Sequence, residues 1–155
     1  MVTTIRELHD LARKGRTRTI AVPWPHDEDV LVSLDKAAEA GLIRPLLAGR
    51  RTAIESVRER LGLRPLDEEI VECGSEAEAV EVAVRRVAAG DAQMLMKGLV
   101  ATSLFLRGIL NKETGLRQKP LLSHVALYQA PAPERLVLFS DVAMNQRKGR
   151  TLKVA

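Results

Sequence analysis

Aromatic residues make up only 3% of this 155-residue chain, so its core must be built from Leu, Val, Ile and Ala. Their scarcity also removes the stacking platform on which proteins commonly hold single-stranded nucleic acid. Cysteine occurs once, at Cys73, which excludes an internal disulfide and a Cys-rich metal site. His9 and His26 have no partners at metal-ligand spacing, so no metal is expected. No apolar run approaches the roughly 20 residues that a membrane-spanning helix needs. The opening "MVTTIRELHDLARKGR" has no apolar segment ahead of a small-residue cleavage site, and Glu7 and Asp10 argue against a transit peptide. The expectation is a cytoplasmic protein with no membrane partner.

What is present is ordinary for a globular domain: 46% hydrophobic and 28% charged residues, in a length that fits one compact unit. The net charge of +4 is unevenly placed. The last ten residues, "QRKGRTLKVA", hold Arg147, Lys148, Arg150, Lys153 and no acid. Removing them from 24 bases and 20 acids leaves 20 of each, a neutral body with a basic tail over 146–155. A basic tail can touch acidic surfaces, but a neutral body argues against a nucleic-acid binder.

Apolar periodicity alternates regularly along the chain. Helices are predicted over 4–14, 27–41, 51–62, 75–90 and 102–112. Strands are predicted over 19–23, 43–49, 69–73, 93–97, 121–129 and 135–141, the last two flanking "APAPE". Ser75 with Glu78 fits a capping box, and Gly90 a helix stop. The alternation implies an α/β fold of three layers, helices covering both faces of a mostly parallel sheet. Ligands of such sheets bind beyond the carboxyl ends of the strands. Functional residues are therefore sought at 23–27, 49–51, 73–75, 97–102 and 141–145.

The most informative segment is "MLMKGLVATSLFLRGILNK", residues 94–112. A hydrophobic strand ends on Lys97-Gly98 just before a helix. Gly98 permits a sharp turn or close ligand approach, and Thr102 is read as the helix cap. The helix N-terminus, the Lys97 charge and the Arg107 guanidinium together would suit a phosphate. The order Lys-Gly is neither a Walker loop nor a dinucleotide fingerprint. The alternative is that Lys97 snorkels from the strand end and Arg107 pairs with a surface acid.

Other residues carry paired readings too. His124, in "LLSHVALY", is a general base by type or a hydrogen-bonded core histidine. Cys73 sits where a helix start can lower a thiol pKa, or is simply small and apolar. Arg50-Arg51 could meet a phosphate or merely open a helix. Asp141 binds substrate or caps a chain reversal. Trp24, between two prolines, covers a loop edge or stacks on a base.

Three segments in one order, 94–117, 121–129 and 135–145 ("RLVLFSDVAMN"), resemble the phosphate acetyl/butyryl transferase family, and its phosphate butyryltransferase branch in particular. The resemblance spans residues 1–145. It implies the isocitrate/isopropylmalate dehydrogenase-like α/β/α fold of phosphate acyltransferases, and the reaction acyl-CoA + phosphate ⇌ acyl phosphate + CoA. Coenzyme A would be a substrate, with no separate cofactor. Lys97, Gly98 and Thr102 would match the phosphate-side loop, and Arg107 an arginine of the active-site cleft, which makes it the best catalytic candidate, for charge stabilisation. Ser123 and His124 would match the "SHV" strand. Asp141 and Asn145 would match the "DxAxN" turn between two subdomains.

Family chains continue into a second subdomain and then return, bringing a serine–arginine pair and an aspartate that serve thiol activation. The expectation is thus an N-terminal subdomain over 1–145 with an atypical tail over 146–155. It would be either an acyltransferase completed elsewhere or a non-catalytic remnant that binds phosphate or CoA or serves as an interaction module. Apolar surface left open near 121–145 predicts self-association into a homo-oligomer.

Overall fold

The computed structural model describes residues 2–64, 68–117, 123–132 and 134–140. Its elements are α1 (Ile5–Arg13), β1 (Arg18–Pro23), α2 (Glu28–Glu39), β2 (Ile43–Gly49), α3 (Arg51–Leu61) and β3 (Glu69–Glu72). They continue with α4 (Glu76–Ala88), β4 (Met94–Leu95), α5 (Thr102–Ile109), β5 (Val125–Pro131) and β6 (Glu134–Ser140). The chain divides into two compact units, residues 12–118 and residues 1–11 with 119–155.

Among the described residues of the larger unit, four parallel strands lie in the order β3-β2-β1-β4. The strands are apolar on both faces, as a sheet covered on both sides requires. Val22 and Leu47 pack with Leu31, Leu34 and Ile54 from α2 and α3. On the opposite face Ala21, Leu46 and Ala48 meet Ala79 and Ala83 of α4. The small residues on that face let α4 lie close to the sheet. A third cluster of Val80, Val84 and Val100 joins α4 to Leu104, Phe105 and Ile109 of α5. These are the three predicted layers.

Ser75 and Gly90 act where the sequence places a cap and a stop. Ser75 Oγ accepts the Glu78 N–H at 3.2 Å. Glu78 Oε2 accepts from Gly74, at 2.7 Å, rather than from Ser75 itself. Asp27 caps α2 through the Val30 N–H. Gly62 and Gly90, with φ of 65° and 86°, take the left-handed turns that end their helices.

Three expectations need correction. The fourth strand is only Met94–Leu95, so Lys97 stands beyond the strand, in the loop. The fifth helix stops at Ile109 instead of 112. There the Asn111 side chain accepts the N–H groups of Glu113 and Thr114, at 2.8 and 3.1 Å, closing a local turn that competes with helix. The last two strands do not join the parallel sheet. In the smaller unit β5 and β6 pair with each other, antiparallel, with Leu127 opposite Leu138 and Tyr128 opposite Val137. This hairpin exposes apolar side chains, Val125 at 61% and Leu138 at 69% among them. Both of its faces carry them, since Leu127 and Tyr128 point to opposite sides.

Candidate functional site

The strand order reverses between β1 and β4, because β2 and β3 follow β1 on one side and the chain then crosses to the other. A ligand crevice in an open α/β sheet is expected at this switch, beyond the carboxyl ends. The residues that follow β1 and β4 there are Trp24, Pro25, His26, Lys97 and Gly98.

Gly98 is buried against the end of β1. A Cβ added to it would lie 2.2 Å from the Pro23 carbonyl oxygen and 2.8 Å from that of Trp24. Close approach of backbone to backbone, not an unusual φ, is what requires glycine. The next residue is tied down, with the Leu99 N–H donating to the Trp24 carbonyl at 2.9 Å. The loop then folds back so that Lys97 Nζ donates to the carbonyls of Val100, at 2.8 Å, and Gly98, at 3.4 Å. Lys97 is otherwise exposed. Its charge is therefore held in place by the loop's own carbonyls, not left to snorkel freely.

Helix α5 begins directly after this loop. Ala101 occupies its cap position and gives no side-chain cap, while Thr102 is the first helical residue, not the cap. Neighbouring helices are filled differently: α2 by Asp27, α4 by Ser75, and α3 by Glu72, whose carboxylate accepts the Arg51 N–H at 2.9 Å. The start of α5 thus has no side-chain cap for its first N–H groups, at the positive end of its dipole.

Arg107 is exposed and lines a groove of about 290 Å³ between α4 and α5, with Val80, Glu81, Val84, Leu104 and Asn111. Lys97 and Thr102 do not line that groove. Five positions along a helix turn two side chains about 140° apart, which is why Arg107 and Thr102 part company. Ser123 and His124 belong to the smaller unit and precede β5. His124 is exposed there, so the reading of a core histidine is set aside. Asp141 and Asn145 lie outside the described residues.

Three of the stretches the sequence points to, 23–27, 49–51 and 73–75, form a second cluster at the same edge of the sheet through contacts that the sequence does not reveal. His26 Nε2 accepts the Arg50 N–H at 3.0 Å, which fixes a neutral ring with its proton on Nδ1. Burial, then the nearby Arg50 charge, lowers the His26 pKa below its usual value, in agreement. The Trp24 and His26 rings are 4.2 Å apart, and the Arg50 guanidinium stands over Trp24 at 5.4 Å. Arg50 also donates to the Gly74 carbonyl at 3.2 Å. Gly49 is needed here as well, because a Cβ would meet His26 Nε2 at 2.8 Å. Cys73 is buried, and burial, with Glu78 and Glu72 adding to it, raises its thiol pKa. It is no ready nucleophile.

Among the described residues no group of acids, histidines and cysteine could hold a metal ion, and no helix is long and apolar enough to cross a membrane.

Residues 53–148 match the family described as phosphate acetyl/butaryl transferase. The phosphate butyryltransferase of Clostridium beijerinckii is 37% identical over 139 residues, 90% of this chain but 46% of that protein. A solved branched-chain phosphotransacylase from Enterococcus faecalis superposes with a TM-score of 0.67 at 28% identity, over 83% of this chain and 44% of that one. A phosphotransacetylase from Streptococcus pyogenes shares the fold, with a TM-score of 0.76 at 18% identity. The chain spans about half the length of the curated relatives it matches.

Proposed function

This chain belongs to the phosphate acetyl/butyryl transferase family, and on that premise we propose that it carries the phosphate-side part of an acyl transfer. The reaction is acyl-CoA + phosphate ⇌ acyl phosphate + CoA, with a butyryl or acetyl group, in the cytoplasm. Coenzyme A enters as substrate.

One observation carries this reading. The Lys97 ammonium is pinned on the Val100 carbonyl directly ahead of the uncapped start of α5, at the switch between β1 and β4. Phosphate oxygens would accept from Lys97 and from the first N–H groups of α5. Both reaction directions bring anion to anion, phosphate to thioester or CoA thiolate to acyl phosphate. Fixed donors aimed at phosphate and at the developing oxyanion lower that barrier, and close placement of the reactants supplies much of the rest. Activating the CoA thiol is a separate task. Cys73 and His26 do not fit it, the first buried and the second spending Nε2 on Arg50.

A second reading is favoured by the chain spanning about half of its relatives. Alone it would bind phosphate or CoA without turnover, and the exposed hairpin would draw copies together into a homo-oligomer. Release of CoA thiol from butyryl-CoA and acetyl-CoA with phosphate, against a Lys97→Ala control, decides between the two. Turnover lost in the control supports the acyltransferase. Phosphate binding without turnover supports the binding module. Neither binding nor turnover sinks both. Light scattering on a size-exclusion column that shows a clean monomer at micromolar concentration would exclude the oligomer.

A further inference from the structure

Trp24 is the sole non-glycine residue with positive φ among those described, at 52°. The following residue is Pro25, which disfavours helical backbone before it and pushes its predecessor toward extended conformations. Sequence therefore leans one way at Trp24 and the structure holds the other. Such conformations persist only where surroundings over-determine them. Here the Trp24 N–H donates to the Ala48 carbonyl at 2.7 Å, and Pro23 and Pro25 on either side are fully buried. The ring packs on the α4-side core and on the cluster that contains Val100.

The left-handed turn has one evident product. It directs the Trp24 carbonyl at the Leu99 N–H. Leu99 lies between Gly98 and Val100, whose carbonyls hold Lys97 Nζ. An extended residue at 24 would turn that carbonyl from the Leu99 N–H and remove this tie on the loop.

We propose that Trp24 is a positioning residue for the anion site: its strained backbone anchors the Lys97–Val100 loop and so sets where the Lys97 charge stands. This rests on the phosphate reading above. It adds that the backbone conformation, not the indole, does the positioning.

Three variants of the full chain separate the two. Trp24→Gly, Trp24→Asn and Trp24→Val all remove the ring, so any loss from packing is common to them. They differ in tolerance of positive φ, with Gly free, Asn tolerant and Val strongly opposed. Affinity for inorganic phosphate, followed by calorimetry, should fall in that order. Gly should stay within about threefold of the parent, and Val should lose about tenfold, the cost of a left-handed β-branched residue. Hydrogen exchange at the Leu99 amide should follow the same order, slow in Gly and fast in Val. Should Val fail to fold, the order of Gly and Asn still decides. Equal phosphate affinity and equal Leu99 protection in all three variants would overturn the proposal. If the parent binds no phosphate, the anion-site reading fails by itself, while Leu99 exchange still reports whether Trp24 holds the loop.

Discussion

Arg58 Nη2 donates to Glu68 Oε2 at 2.5 Å, in a place where the arginine is only 6% exposed. Asp35, also buried, lies 3.8 Å from the same guanidinium. Arg58 Nη1 donates to the Arg64 carbonyl at 3.0 Å. One cation thus faces two carboxylates beneath α2 and α3. Removing it leaves both acids without their countercharge. Arg58→Met should destabilise the chain by about 3–5 kcal/mol, the usual cost of stranding buried charge. Urea unfolding followed by circular dichroism measures it.

Burial raises the Glu68 pKa, with Arg58 only partly opposing. A carboxyl whose folded value is raised favours folding below its unfolded value, near 4.5, and loses that contribution as pH climbs through the folded value. Glu68→Gln keeps an acceptor for Arg58 and removes the charge. It should unfold at equal or higher temperature than the parent at pH 7, with the difference vanishing near pH 4. A large loss at pH 7 would show that pairing, not desolvation, dominates there.

His26 carries the opposite sign. Its pKa is lowered from 6.5, so the neutral ring stabilises the fold above that value, and the contribution fades as pH falls through the folded value. His26→Gln can still accept from Arg50 but cannot titrate. Between pH 7 and 5 the melting temperature of the parent should drop relative to this variant. Parallel curves would mean that Nε2 does not need to stay unprotonated.

Gly98→Ala should be damaging out of proportion to one methyl group. The new Cβ meets backbone oxygens of Pro23 and Trp24, which cannot swing aside. Overpacking of this kind costs about 1–3 kcal/mol, and the loop that holds Lys97 should shift with it. Thermal unfolding and phosphate titration of the same sample should both register the change.

Lys97→Ala and Arg107→Ala should part. A charge-assisted hydrogen bond to phosphate is worth about 1.5–3 kcal/mol, so Lys97→Ala should weaken phosphate binding by roughly tenfold or more. Arg107, which lines the α4–α5 groove, should change it by less than about threefold, within the small effect of an exposed charge. Equal losses would place both side chains on one ligand.

Much of this molecule was legible in its sequence. Strands and helices alternate plainly because a doubly covered parallel sheet needs continuous apolar runs, and Ser75 and Gly90 mark ends through local rules. Lys97-Gly98 stood out because a bare charge after an apolar run requires an explanation. What stayed hidden was tertiary. Arg58, Asp35 and Glu68 look like surface charges on their helices and loop, and only packing makes them one buried group. The Arg50 amide finds His26 through strand register, which no spacing reveals. That Thr102 and Arg107, five apart, do not share one helical face follows from helix geometry alone, whereas the α4–α5 groove that Arg107 lines depends on packing. The hairpin read as two more strands of the sheet because apolar alternation does not say which neighbour a strand will take.

The seam between β1 and β4 is only two residue pairs long, Ile20 with Met94 and Ala21 with Leu95. Those partners are joined through the whole of α2, β2, α3, β3 and α4, so the seam closes the largest loop in the larger unit's sheet. Contacts so distant in sequence are slow to form and are rewarded late. The β1–β2 and β2–β3 pairings can assemble first, with β4 arriving last. Since the Lys97 loop lies beyond that strand, the proposed anion site should be completed late in folding. It is also where partial unfolding should begin, so phosphate, by binding there, would act as a clasp on the least secured edge of the sheet.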